Sequence, residues 1–273
     1  MRGANPLQDY IDTWWLVVGD NVALLRTLEP DDWDKPTDLP GWNVRYVAAH
    51  LAHLESVLAG NPQAEVDVPP ADHIKGPMNF FTESGPLARA GWSTDQIIDE
   101  IESAAAKRRE ALGAMMPLDA TAPGDGFAAM IGWDMGTLLS NRAIDHWMHQ
   151  QDIRRAIGRP GGLDGLGGAH VLRSFSRSLP YVLGKRVGAP AGSSVVLEIT
   201  GEQETTVAAR MGDDGRASML DAPPDDATVS LAMDFETFII LAGGRRAPDQ
   251  VMTTVTGDAS LADAVLENLA VTP

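Results

Sequence analysis

The 273-residue chain contains no cysteine. It therefore has no disulfide, no thiolate metal ligand and no cysteine nucleophile. A metal would have to be held by His, Asp or Glu, and thiol chemistry would need a thiol brought from outside. Basic residues are also scarce: 21 Lys and Arg stand against 38 Asp and Glu, a formal charge of −17. With no surplus of cations to neutralise phosphates, nucleic acid and anionic membranes are poor partners. No run of about 18 apolar residues is available to span a bilayer. No N-terminal segment joins basic residues to an apolar stretch and a small-residue cleavage site. Together these absences describe a cytoplasmic protein.

What is present divides into two halves with different periods. Leu7, Ile11, Trp14, Trp15, Val18, Val22 and Leu25 recur at helical spacing over residues 6–27. A Pro- and Gly-punctuated connector, 29–42, leads to a second helix over about 43–58. Residues 59–92, rich in Pro, Gly and Asn, read as a long irregular loop with room for a short helix, the kind of segment that serves as a lid or binding loop. Ser93 or Thr94 caps a third helix to about 115, and a fourth runs from about 134 to 157, before Gly158. Four such helices suit an antiparallel bundle, placing a first domain at 1–160. In the second domain, 161–273, a helical segment at 169–186 precedes Val- and Thr-rich strands at 194–200, 205–211, 228–234 and 251–256. Helices are expected at 235–242 and, capped by Ser260, through Leu269, which makes this an α+β domain.

Chemistry concentrates at two places. Asp145 and His149, four residues apart, project from one helical face together with Arg142 and Asp152. That polar stripe lies between two apolar ones, as on a helix lining a wet cavity, although a plain solvated face has the same composition. His50 falls on the core-facing stripe of the second helix, among Tyr46, Val47, Leu54 and Val57. A buried imidazole there needs partners, either a hydrogen bond to a neighbouring helix or an ion. His53 sits towards the rim of that stripe, as a surface or interface residue, and His146 points away from Asp145 and His149. Arg245 and Arg246 are either a carboxylate-binding fork or an ordinary basic pair after a helix. Trp42, His73 and Trp92 are the candidates for lining a cofactor pocket, with core packing the plainer reading of both tryptophans.

The segment Leu-Pro-Gly-Trp-Asn-Val-Arg-Tyr-Val-Ala-Ala-His-Leu (39–51) resembles the Gly-Trp-x-Val-x-x-x-x-x-His-Leu signature of DinB-like metalloproteins. More narrowly, it resembles the mycothiol-dependent maleylpyruvate isomerase family. Asp145-x-x-x-His149-x-x-Asp152 is similar to that family's Glu-x-x-x-His-x-x-Asp, with Asp145 where Glu is usual. Ala-Gly-Gly-Arg-Arg (242–246), Thr-Gly-Asp (256–258) and the closing Leu-Ala-Val-Thr-Pro (269–273) are similar to its sterol-carrier-like C-terminal domain. The resemblance implies an all-α four-helix DinB-like bundle followed by an α+β sterol-carrier-like domain. It implies a divalent, zinc-type ion on His50, Asp145 and His149, and mycothiol, a small sugar-linked thiol, as cosubstrate acting on a small electrophile. Arg246, Arg245 and Asp152 are then the candidate catalytic residues, Asp152 as a partner of a ligand or of Arg154 or Arg155. The reaction expected is cis–trans isomerisation or S-transfer, by a monomer or homodimer. Two rivals stay open: a metal-dependent hydrolase using Asp152 or His73 as base, and a ligand-binding protein whose metal site has decayed.

Overall fold

The computed structural model describes residues 6–70, 74 and 76–272. The chain forms two compact units, Met1–Pro160 and Gly161–Pro273. The first is all helical: α1 (Pro6–Leu25), α2 (Val44–Leu58), α3 (Pro77–Ala88), α4 (Thr94–Ala114), the single-turn α5 (Phe127–Met130) and α6 (Met135–Ile157). The four long helices α1, α2, α4 and α6 build the bundle, α1 packing on α4 and α6, and α2 on α4 and α6. Local chemistry sets their ends. Asn43 Oδ1 accepts the Tyr46 N–H at 2.9 Å, and Asp134 Oδ1 accepts that of Thr137 at 2.7 Å. Ser93 and Gln96 form a reciprocal capping box. Gly158, at φ +67°, supplies the left-handed residue that stops α6. Trp14, Leu51, Ile101 and Leu138 are almost wholly buried in the shared core.

Within residues 59–92, where the sequence left room for a short helix, helix α3 runs for 12 residues. Pro77 opens it, a position where the missing N–H is harmless, and it packs on α2. Gly85 comes so close that a Cβ there would lie 2.2 Å from the His53 ring. His53, expected at a rim, is therefore buried: the helix that covers it cannot be read from α2's own periodicity. Burial holds its pKa at about 4, against an ordinary 6.5, outweighing the hydrogen bond to Gln63.

The second unit is α+β: α7 (Leu166–Ser176), α8 (Leu179–Tyr181), β1 (Ser194–Thr200), β2 (Thr205–Met211), β3 (Ala217–Met219), β4 (Val229–Asp234), α9 (Phe235–Ala242), β5 (Thr254–Gly257) and α10 (Ala259–Glu267). The sheet has the order β3-β2-β1-β4-β5, with β1 and β4 parallel and the other pairs antiparallel. Val195, Leu197 and Ile199 of β1 alternate onto one face beside Val229, Leu231 and Met233 of β4, and all are buried. The α9 and α10 helices pack against β4. Three expectations shift. The single helix over 169–186 is interrupted at 177–178, between α7 and α8, where Pro180 of α8 lacks an N–H, and α8 runs directly into a π-turn, Val182–Val187. The last strand is Thr254–Gly257, preceded by a 3-10 turn at Pro248–Gln250. The last helix is capped by Asp258, accepting the Leu261 N–H at 3.1 Å, not by Ser260. No helix among the described residues is long and apolar enough to cross a membrane.

Candidate metal centre

His50 lies in the middle of α2, and Asp145 and His149 lie one turn apart on α6. The packing of these helices brings one ligand atom from each residue within 4.8 Å of the others. Asp145 Oδ1 stands 3.7 Å from His50 Nε2 and 3.6 Å from His149 Nε2. Two ligands about 2.0–2.1 Å from a tetrahedral ion are themselves about 3.3–3.4 Å apart. The two carboxylate–imidazole separations fit a zinc-type ion after a contraction of a few tenths of an ångström, and the ligating nitrogens of the two imidazoles lie within 4.8 Å of each other. The aspartate, one methylene shorter than glutamate, thus reaches both histidines.

Protonation states suit the same purpose. Burial opposes ionisation of Asp145, yet Arg142, with His149 and His50, holds its carboxyl well below the usual range. Burial also pushes the pKa of His50 down despite Asp145, favouring the neutral, lone-pair-bearing imidazole that ligates. His149 Nδ1 is 3.0 Å from Asp152 Oδ2. A carboxylate at that distance takes the Nδ1–H, which leaves the Nε2 lone pair directed at the site. Asp152 Oδ1 accepts from Arg155 Nη2 at 2.6 Å, and Arg155 Nε donates to Asp38 Oδ2 at 2.9 Å. A chain of three charged groups therefore ties the ligand ring to the connector before α2.

That connector also supplies Trp42. Its indole stacks on His149 (centroids 6.0 Å apart, planes 23°) and tilts over His50 at 5.1 Å. Trp42 Nε1 donates to Glu83 Oε1 at 3.0 Å, and the Tyr46 hydroxyl donates to Glu83 Oε2. Burial, reinforced by Glu83, raises the Tyr46 pKa, so the phenol stays a donor. On the other side, Arg142 Nη1 donates to Asp145 Oδ2 at 2.9 Å, while its Nε and Nη2 donate to Glu55 Oε1 at 3.0 and 2.8 Å.

The other sequence candidates are placed as follows. His146, buried, lies outside the trio with Nε2 3.0 Å from Glu55 Oε1. Trp92 follows α3, its ring 5.3 Å from the Arg89 guanidinium and its carbonyl accepting from Arg45. Arg245 and Arg246 belong to the second unit, just past α9, where Arg245 Nη1 donates to the Gly243 carbonyl at 2.6 Å. His73 lies outside the described residues. Arg155 pairs with Asp152 as one of the partners expected for it, whereas the roles of Glu83, Tyr46, Asp38 and Glu55 were not picked out by sequence reasoning. The one signal available was Glu55 itself, a carboxylate inside the apolar run of α2.

Residues 14–154 match the Mycothiol maleylpyruvate isomerase N-terminal domain, and residues 172–264 match the MDMPI C-terminal domain. Among solved structures, the mycothiol-dependent maleylpyruvate isomerase is similar at 15% identity and a TM-score of 0.52, over 93% of this chain and 94% of that one. A histidine-to-alanine mutant of that isomerase is similar at 17% identity and TM-score 0.50, over the same 93% and 94%. Sterol Carrier Protein 2 from Yarrowia lipolytica is a distant likeness, at 17% identity and TM-score 0.28 over 38% of this chain and 94% of that one. No curated protein matches the sequence significantly. Since the N-terminal match alone spans more than half of the chain, the protein belongs to the mycothiol-dependent maleylpyruvate isomerase family, enzymes of the isomerase or transferase type.

Proposed function

We propose that this protein is a metal-dependent enzyme that uses mycothiol to isomerise, or to transfer sulfur onto, a small electrophile. The observation that carries the reading is the convergence of His50, Asp145 and His149 from two helices. A zinc-type ion held by these three residues would keep a bound thiol deprotonated at neutral pH. The protein's own groups orient the site around that thiolate. Asp152 sets the tautomer and tilt of His149, Arg142 holds Asp145, and Trp42 covers the two imidazoles. A thiolate adding to an activated carbon–carbon double bond leaves a single bond free to rotate. Elimination of the thiolate then gives the isomerised alkene, and keeping the new carbon–sulfur bond gives transfer. Arg246 and Arg245, in the second unit, are proposed as a guanidinium fork for a carboxylate, which such a fork binds through two oxygens.

A hydrolase would need a free base beside the ligands. Asp152 has one oxygen on His149 and the other on Arg155. Metal analysis together with a thiol-dependence assay tests the proposal. The purified protein should take up about one equivalent of zinc, and its turnover of maleylpyruvate or a simple electrophile should require mycothiol. Turnover at full rate without thiol would point to hydrolysis and sink the reading.

A further inference from the structure

Asp145, the acidic member of the trio, has one of its two oxygens already engaged. Asp145 Oδ1 faces both histidines, whereas Oδ2 accepts from Arg142 Nη1 at 2.9 Å. Arg142 is itself fixed. Its other two donors, Nε and Nη2, converge on Glu55 Oε1, and only 1% of its surface is exposed, so it has no solvent to swing into. Glu55 in turn is anchored by every long helix of the bundle. Trp14 Nε1 of α1 donates to it at 3.1 Å, His146 Nε2 of α6 lies 3.0 Å away, and Arg108 of α4 stands 3.8 Å from its second oxygen. His146 is held from its other edge by Asn21 of α1, 3.3 Å from Nδ1. Burial opposes the charge on Glu55, but Arg142, His146 and Arg108 together hold its carboxyl well below the usual range.

We infer that Arg142 is a positioning residue: seated on Glu55, it pins one oxygen of Asp145 so that the shorter aspartate presents only the other to the metal. This inference rests on the metal-dependent reading above and deepens it. A free carboxylate on a short side chain can rotate, use both oxygens on an ion, or turn away from it. A guanidinium fork at fixed depth removes those options and leaves the remaining coordination positions to thiol and substrate. Lysine, a single point donor, cannot span Glu55 and Asp145 in the same way.

The test is a cobalt titration of the apo-protein, followed by the visible d–d absorption of the bound ion. Two variants are used. Glu55→Gln with Arg142→Met removes the bridge and both of its charges, leaving the buried Arg108 without its carboxylate, and Arg142→Lys keeps the charge but loses the fork. Both should weaken the cobalt Kd, the double variant by about 10–100-fold and Arg142→Lys by less, and both should change the position and intensity of the d–d bands. A purely structural Arg142 would lower the melting temperature and leave both readouts alone. Folded variants, judged by far-UV circular dichroism, with the wild-type Kd and spectrum would overturn the inference. If the double variant does not fold, Arg142→Lys decides alone by the same criterion. Wild-type protein that binds neither cobalt nor zinc would sink the metal reading and this inference with it. A metal-binding wild type with indifferent variants would sink only the inference.

Discussion

The two units bury very different materials. Among the described residues, every buried Asp, Glu and Arg lies in the helical unit: Asp32, Glu55, Glu83, Arg89, Arg108, Arg142 and Asp152. The α+β unit closes over Val195, Leu197, Leu231, Phe235 and Phe238, with His170, Ser176 and Ser194 as its buried polar residues. Removing a charge from water costs several kcal/mol per ion before any partner is found, so a buried charge is poor material for stability alone. An apolar sheet face carries no such penalty. The difference teaches where chemistry was built. In the helical unit, Arg142 and Asp152 contact the candidate ligands Asp145 and His149 and Glu55 seats Arg142, whereas the sheet unit is stabilised by ordinary burial.

The sharpest way to break this comparison is His149→Ala. It should abolish zinc binding and lower thiol-dependent turnover by more than about a hundredfold, since even losing a ligand's partner costs about 10–100-fold. The melting temperature of the apo-protein should barely move. Retained activity would remove His149 from the metal site. Next in size is Glu55→Ala, which strands Arg142 and Arg108 without their carboxylate and should cost about 3–5 kcal/mol by urea unfolding. Leu231→Ala in the sheet should cost about 2–5 kcal/mol by cavity formation. The two are comparable in stability, but only the first should also weaken metal binding. Equal effects on the metal would erase the distinction between the units.

A third test uses pH. His53 has its folded-state pKa depressed to about 4 from an ordinary 6.5. The unfolded chain therefore takes up the proton first, so this contribution is complete above about pH 6.5 and is lost as pH falls towards 4. Unfolding free energies should drop over that window by up to about 1.4 kcal/mol per pH unit for this one group. His53→Leu should flatten the slope; an unchanged slope would place the effect on other groups. The smallest effect expected is that of Arg246→Ala, a several-fold rise in KM for an acidic substrate with kcat nearly unchanged. No change in KM would return that arginine to the surface.

Much of the architecture could be read in advance because local signals coincided. Asn43, Ser93 and Asp134 cap helices whose apolar residues keep a 3.6-residue period. The bounds of helix α3, for which only room was left, were obscured by a Pro- and Gly-rich surrounding, and β3, three residues long, carries too little pattern to register. At the site, the spacing of Asp145 and His149 and the odd placement of His50 were visible as residue types on faces. Of what supports them, Asp152 and Arg142 on the same face were visible, but the partners on other helices were not. Arg142 and Glu55 are 87 residues apart, and Tyr46 and Glu83 are 37 apart, so no window holds both members of either pair. Such contacts are decided by which helices neighbour each other, information that periodicity does not hold.

The five residues from Asp38 to Trp42 grip one imidazole twice, its edge through Arg155 and Asp152 and its face through the indole. An insertion or deletion inside that short strip would therefore twist His149 without touching α6. Relatives that lengthen the strip should have to alter the far end of α6 in step, so that loop and helix are inherited as a pair.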